Sequence, residues 1–161
     1  EMTNLETTRE TSDKVRQAIF NLIGQFFDGE VVLDLFAGSG AMGLEAISRG
    51  ACEAYFNDIN KQAIETVKRN ALKLKVLKNM DFKDYLTSIN RPFDIIFLDP
   101  PYKMNNVDEI LSLIYQYKLL KSKGIIAFEM ESQTNPDSKY YKIIKDRSYG
   151  IKRVVIYKEE I

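Results

Sequence analysis

Val31-Val32-Leu33-Asp34-Leu35-Phe36-Ala37-Gly38-Ser39-Gly40-Ala41-Met42-Gly43-Leu44 runs from an unbroken apolar segment into a glycine-rich turn. An apolar run without polar alternation marks a strand buried on both faces, as in a parallel sheet covered by helices. Gly38 to Gly43 fits the pattern G-x-G-x-x-G, set between that strand and a helix over roughly Met42 to Ser48. Gly38 and Gly40 let the backbone approach a ligand closely, and the helix start offers free N–H groups. Ala54 to Asn57 reads as a second strand. Asp58 follows it, where a carboxylate can accept both hydroxyls of a ribose. These features predict a nucleoside-bearing ligand at the carboxyl edge of the sheet. A dinucleotide fits the same features, and the plain alternative is a tight turn that needs glycine for geometry alone. Asp34 is either part of such a site or a solvated strand end.

Upstream, Val15, Ile19, Leu22, Ile23, Phe26 and Phe27 recur at helical spacing, and Thr11 or Ser12 is placed to cap that helix. Downstream, Ile64, Val67, Ala71 and Leu74 mark one face of a helix, and Val76-Leu77 a short third strand. Asp81 to Ile89 reads as a helix or turn, and Phe93 to Leu98 as a fully buried strand. Val107, Ile110, Leu111, Ile114 and Tyr117 form another helical stripe, and Gly124 precedes a fifth strand, Ile125 to Met130. Strands alternating with helices predict an α/β, doubly wound, mostly parallel sheet. The tail differs: Tyr140 to Arg147 and Ile151 to Lys158 read as an antiparallel hairpin joined at Ser148-Tyr149-Gly150. With 161 residues, the chain is read as a single domain spanning 1–161.

The composition, 45% hydrophobic and 29% charged, is that of a globular protein rather than a disordered one. No apolar run approaches the length that spans a bilayer, and the polar opening, Glu1 to Thr11, is no secretory signal, so no membrane association is expected. The single Cys52 excludes an internal disulfide and fits a reducing cytoplasm. Histidine is absent, which removes Ser-His and Cys-His catalysis and histidine-ligated metals, and no metal is expected. Catalysis then falls to carboxylates, backbone groups, aromatic rings or a cofactor. A formal net charge of zero argues against a surface that grips nucleic acid everywhere.

The buried strand Phe93–Leu98 ends in Asp99-Pro100-Pro101-Tyr102. Average residue usage places this tetrapeptide by chance in on the order of one chain in a thousand of this length, so its presence calls for a reason. It falls on the same sheet edge as the glycine turn, where doubly wound sheets bind ligands. Two prolines fix the backbone and carry no N–H, which leaves a rigid set of acceptors. The Asp99 carboxylate and the Pro100 carbonyl can both face one amino group. An aromatic amine is a poor nucleophile because its lone pair is delocalised into the ring. Accepting its two protons draws the nitrogen toward tetrahedral geometry and frees the pair. Tyr102 can stack on the base, a contact worth about 1–3 kcal/mol. The plain alternative is a structural turn with a buried tyrosine.

Together these motifs resemble those of the bacterial 16S ribosomal RNA guanine-N2 methyltransferases. The resemblance runs from Arg9 to Lys158 and rests on four stretches. They are Thr11-Ser12-Asp13-Lys14-Val15-Arg16 with Phe20-Asn21, Asp34 to Gly40, Asp99 to Tyr102, and the closing hairpin with Tyr149-Gly150. It implies a Rossmann-like class I methyltransferase fold, a seven-stranded sheet whose last strand is antiparallel, and S-adenosylmethionine as cofactor. It further implies that Asp34, Phe36, Gly38, Ser39 and Gly40 line the methionine end, and that Asp58, with Ile59 beside it, holds the ribose. Asp81 would bond the adenine amino group with Phe82 next to the ring. Asp99, Pro100, Pro101 and Tyr102 would receive the guanine. Read from the residue alone, Asp81 is equally a helix N-cap. The implied partner is ribosomal RNA or an assembled small subunit.

The chain departs from the family at Glu10, where relatives often carry proline, and at Gln17, where they carry glutamate. It also lacks the short basic segment with which relatives begin, and it is read as missing that segment upstream. The remaining basic residues lie in the hairpin (Lys139, Lys142, Lys145, Arg147, Lys152, Arg153) and mid-chain (Lys68, Arg69, Lys73, Lys75, Lys78). They serve either as RNA contacts or as a solvated face. Competing functions are adenine-N6 methylation of DNA or RNA, a non-catalytic cofactor-binding protein, and a dehydrogenase.

Overall fold

The computed structural model describes residues 2–70, 75–101 and 107–160. Helix α1 (Met2–Ile23) leads into strand β1 (Val31–Asp34), followed by α2 (Ala41–Ser48), β2 (Glu53–Asn57), α3 (Lys61–Asn70) and β3 (Lys75–Lys78). The second half runs α4 (Phe82–Ser88), β4 (Phe93–Leu98), α5 (Val107–Gln116), β5 (Leu120–Glu131), β6 (Tyr141–Tyr149) and β7 (Lys152–Glu159). All seven strands form one sheet in the order β3-β2-β1-β4-β5-β7-β6. Strands β1 to β5 run parallel to one another, while β7 runs antiparallel to both β5 and β6. The expected doubly wound sheet with a closing antiparallel hairpin is therefore present.

Successive side chains of β1 point to opposite faces, and both faces are dry. Val31, Leu33 and Leu35 pack with Leu86 of α4 and Ile110, Leu111 and Ile114 of α5. Val32 and Ala37 pack on the other face with Val15, Ile19 and Phe20 of α1, Ala46 of α2 and Val67 of α3. Helices on both faces explain why β1 and β4 lack polar alternation. The chain winds outward from β1 to β3, then crosses back to place β4 on the other side of β1. That reversal opens a crevice between the strand ends of β1 and β4.

Three boundaries differ from those read in the sequence. Helix α1 begins at Met2, so Thr11 and Ser12 lie within it rather than at its cap. Strand β5 begins at Leu120, so Gly124 lies inside it instead of before it. Phe93 pairs with Leu120 and Ile95 with Ile125, which leaves residues 121–124 as an irregularity in the ladder. A Cβ at Gly124 would come within 2.6 Å of the Leu120 side chain, so this fold of the strand needs glycine. In the hairpin, Ser148 and Tyr149 belong to β6, paired with Arg153 and Lys152, and Gly150 with Ile151 makes the turn. Gly150 has φ of 64°, the left-handed region that two-residue hairpin turns use. Ala71 and Leu74, expected on the α3 stripe, lie outside the described residues; Ile64 and Val67 are buried as that stripe requires.

Candidate active site

The glycine turn leaves β1 at the crevice. Leu35 N–H donates to the Phe97 carbonyl of β4, and Ala37 N–H to the Asn57 carbonyl of β2, so the turn is pinned to both neighbouring strands. Gly38 and Gly40 both have left-handed backbone, with φ of 57° and 81°. Their surroundings differ. A Cβ at Gly38 would meet nothing within 4 Å, whereas one at Gly40 would come within 2.9 Å of the Val67 side chain. Gly43, one turn into α2, would press a Cβ to 2.3 Å from the Phe56 ring of β2. The first glycine thus serves the open side of the turn, and the other two serve close packing of α2 against its neighbours.

Asp34 is buried, and one carboxylate oxygen accepts the Gly43 N–H at 3.0 Å. The alternative of a solvated strand end is overturned. Burial pushes its carboxyl up to about 7; the Gly43 bond opposes this, and the charges of Asp99 and Asp58 add to it. Asp58 accepts Gly38 N–H through one oxygen (2.9 Å) and Asn60 N–H through the other (2.8 Å), which ties the strand end to the glycine turn. Asp81 caps α4, accepting Lys83 N–H at 3.2 Å, and the capping role read from the residue alone is observed. Two asparagines that sequence reasoning missed complete this edge. Asn57 exchanges two hydrogen bonds with the Met80 backbone, and Asn79 donates to the Asp58 and Ile59 carbonyls. Only their position at strand ends could have marked them.

Two cavities flank the turn. The larger, of about 400 Å³, is lined by Arg16, Asp34, Phe36, Gly38, Ser39, Met42, Asp99 and Glu129, among others. The smaller, of about 340 Å³, is lined by Phe36, Gly38, Asp58, Ile59, Asp81, Phe82, Asp99 and Pro101, among others. Phe36, Gly38 and Asp99 line both, so the glycine turn and the Asp99 turn meet at one place as the sequence predicted. The Phe36 and Phe82 rings lie 5.5 Å apart and form an aromatic wall. Gly40 and Pro100 line neither of these cavities, and Tyr102 lies outside the described residues.

Asp99 stands at the mouth, its side chain 50% exposed. Burial of its carboxyl against the surrounding protein raises it from its ordinary value, and Lys152 opposes the rise. Lys152 Nζ lies 3.7 Å from Asp99 Oδ1 and 3.8 Å from Glu129 Oε1. Glu129 is largely enclosed, and burial with the nearby Asp99 pushes its carboxyl up to about 7. Arg16, paired with Asp13 at 2.9 Å, supplies a cation to the larger cavity. Sequence reasoning missed Glu129, and it counted Lys152 only as part of a basic hairpin.

That hairpin is less available than its composition suggests. Arg153 grips Asp146 with two bonds (2.6 and 2.8 Å) and the Thr134 carbonyl with a third. Lys145 donates to the Leu22 carbonyl at the end of α1. Among the described residues no cluster of three or more His, Cys, Asp or Glu side chains could hold a metal ion, and no helix is long and apolar enough to cross a membrane.

The family model described as Conserved hypothetical protein 95 matches residues 1–158. The YlbH protein of Bacillus subtilis is 39% identical over 165 residues, covering 95% of this chain and 89% of its own. Ribosomal RNA small subunit methyltransferase D of Haemophilus influenzae is 32% identical over 165 residues, covering 96% of this chain and 84% of its own. Among solved structures, a conserved hypothetical protein of Streptococcus pyogenes superposes with a TM-score of 0.85 at 32% identity, covering 90% of this chain and 95% of that one. A 158-residue family match, these identities and the shared architecture agree, and the chain belongs to the Conserved hypothetical protein 95 family, that of the ribosomal RNA small subunit methyltransferase D proteins.

Proposed function

We propose that this protein transfers a methyl group from S-adenosylmethionine to the exocyclic N2 amino group of a guanine in small-subunit ribosomal RNA. The observation that carries the reading is the convergence of the glycine turn and the Asp99 turn on cavities that share Phe36, Gly38 and Asp99. The relatives named ribosomal RNA small subunit methyltransferase D supply the substrate class. Bound here, S-adenosylmethionine supplies a methyl group already activated on a sulfonium, a chemistry that suits a chain without histidine.

The residues present fit that donor. Ile59 and Phe82 offer apolar surface for an adenine, Asp81 an acceptor for its amino group, and Asp58 a carboxylate for the ribose hydroxyls. The larger cavity offers both signs of charge to a zwitterionic methionine end: Arg16 for its carboxylate, Asp34 for its ammonium. Asp99 and the Pro100 carbonyl accept the two protons of the guanine amino group, and Tyr102 stacks on the base. Positioning of this kind lowers a barrier by about 7–11 kcal/mol. A base inside a duplex cannot reach Asp99, so the target is an unstacked nucleotide.

The test supplies labelled S-adenosylmethionine with unmodified small subunits, free ribosomal RNA and DNA, followed by digestion to nucleosides. The expected product is N2-methylguanosine from ribosomal RNA. Label in N6-methyladenine would overturn the guanine assignment, and no label in any nucleic acid would overturn methyl transfer itself. Asp99→Ala is expected to abolish transfer, while Asp99→Asn, which still accepts a hydrogen bond, keeps a measurable rate. Equal inactivity of both, with folding and donor binding intact, would remove hydrogen-bond acceptance as the role of Asp99.

A further inference from the structure

Strand β7 is the antiparallel member of the sheet, so it begins where the parallel strands end. That places its first residue, Lys152, at the carboxyl edge beside Asp99. The ammonium lies between two carboxylates, 3.7 Å from Asp99 and 3.8 Å from Glu129, and Glu129 is the most enclosed of the three groups. Asp99 and Glu129 thus flank the same ammonium, and the charge of Asp99 acts on Glu129. Two neighbouring carboxylates and one ammonium leave one negative charge in excess, and such a pair takes up a proton more readily than either acid alone.

We propose that Glu129 is the seat of the proton that the guanine amino group releases during methyl transfer, with Asp99 as the intermediate carrier and Lys152 holding both carboxylates in place. The inference rests on the methyl-transfer reading above. In that step the N2 lone pair forms the new N–C bond while the bond from the methyl carbon to sulfur breaks, and the sulfur keeps the bonding pair. The nitrogen is left positively charged with one proton in excess. Asp99, already accepting that N–H, takes the proton and hands it to Glu129, which returns it to solvent after the product leaves.

The direction of transfer follows from the surroundings. Burial raises the proton affinity of both acids and Lys152 opposes the rise in both, but Glu129, 14% exposed against 50% for Asp99, is the more enclosed, and the neighbouring Asp99 adds to its rise. The other charged groups around the pair are Asp34 at the end of β1 and Arg16 with Asp13 on α1, which line the same cavity. Glu131, two residues along β5, is bonded to Gln133. Because Glu129 acts through Asp99, it is a positioning residue.

Two measurements test this. In the free protein labelled with 13C-carboxyl glutamate, the resonance lost in Glu129→Gln should titrate with a midpoint near neutrality. Lys152→Met removes the stabilising cation and should move that midpoint up, by about one pH unit. In single turnovers with unmodified small subunits, the wild-type rate should rise with pH through the same midpoint. Glu129→Gln should flatten that rise and leave the rate about tenfold lower at its alkaline end. A Glu129 carboxyl titrating in the ordinary carboxylate range, or a Glu129→Gln protein that keeps the wild-type pH profile, would overturn the proposal. An active Asp99→Ala protein would instead sink the underlying reading of the site. Asp99→Ala inactive alongside an unaltered Glu129→Gln profile would sink only the proton seat.

Discussion

Asp34 should weaken the fold it belongs to, and Asp34→Asn should reveal by how much. The carboxyl is 4% exposed and pushed from 3.8 up to about 7, chiefly by burial. Between those values the folded protein binds a proton that the unfolded chain has released, so stability falls as pH rises from about 4 and the loss is complete above about 7. A rise of that size corresponds to about 4 kcal/mol. Asparagine keeps an oxygen to accept Gly43 N–H but carries no charge to desolvate. Its bond is weaker than one to a carboxylate, so the net gain should be about 2–4 kcal/mol at pH 8. Urea denaturation of both proteins without donor, at pH 8 and pH 5.5, measures it. The variant should be the more stable at pH 8, and the gap should shrink toward pH 5.5 as the wild-type carboxyl takes up its proton. Under the proposed function, in which the Asp34 charge meets the donor's ammonium, the variant should also lose affinity for S-adenosylmethionine. An Asp34→Asn protein less stable at pH 8, or a gap that ignores pH, would refute the reasoning.

Asp58→Ala removes the proposed acceptor for two ribose hydroxyls together with the bond to Gly38 N–H, and calorimetry should show donor affinity reduced by on the order of 10- to 100-fold. Unchanged affinity would take Asp58 out of the site. Gly43→Ala drives a methyl group against the Phe56 ring, at 2.3 Å if nothing moves, and overpacking of this kind costs about 1–3 kcal/mol. Its urea midpoint should fall accordingly, and a wild-type midpoint would mean that α2 shifts freely away from β2.

Strands β1 and β4 were legible because burial on both faces leaves a short continuous apolar run, and a glycine turn or a proline pair ends each one. The first turns of α1 were not, since residues 2–10 carry no apolar period to mark a packed face. Nor was the start of β5, where Lys121-Ser122-Lys123-Gly124 interrupts the pattern although Leu120 already pairs with Phe93. Within the site, Asp34, Asp58 and Asp99 were readable because each ends a strand whose register is set locally by its own apolar run. The enclosure of Asp34 was not readable, because it depends on α2 closing over the strand end. Glu129 and Lys152 depend on how β7 aligns against β5, which brings Glu131 opposite Lys152 and thereby sets the ammonium between two acids. No pattern within either strand records that alignment. The same holds for Gly40 and Gly43, whose sequence motif suggested a ligand but whose missing side chains make room for Val67 and Phe56.

Among the described residues strand β6 pairs in the sheet only with β7, which follows it in the chain and separates it from β5. During synthesis β6 therefore leaves the ribosome with its ladder groups unpaired and must wait for the next segment before it can join the sheet. If it docked early against the exposed edge of β5, it would occupy the slot that β7 needs and shut Lys152 out of the crevice. Gly150 lets the chain reverse within two residues, so β6 and β7 can pair as a local hairpin, and the faster that hairpin closes, the shorter the interval in which β6 stands unpaired.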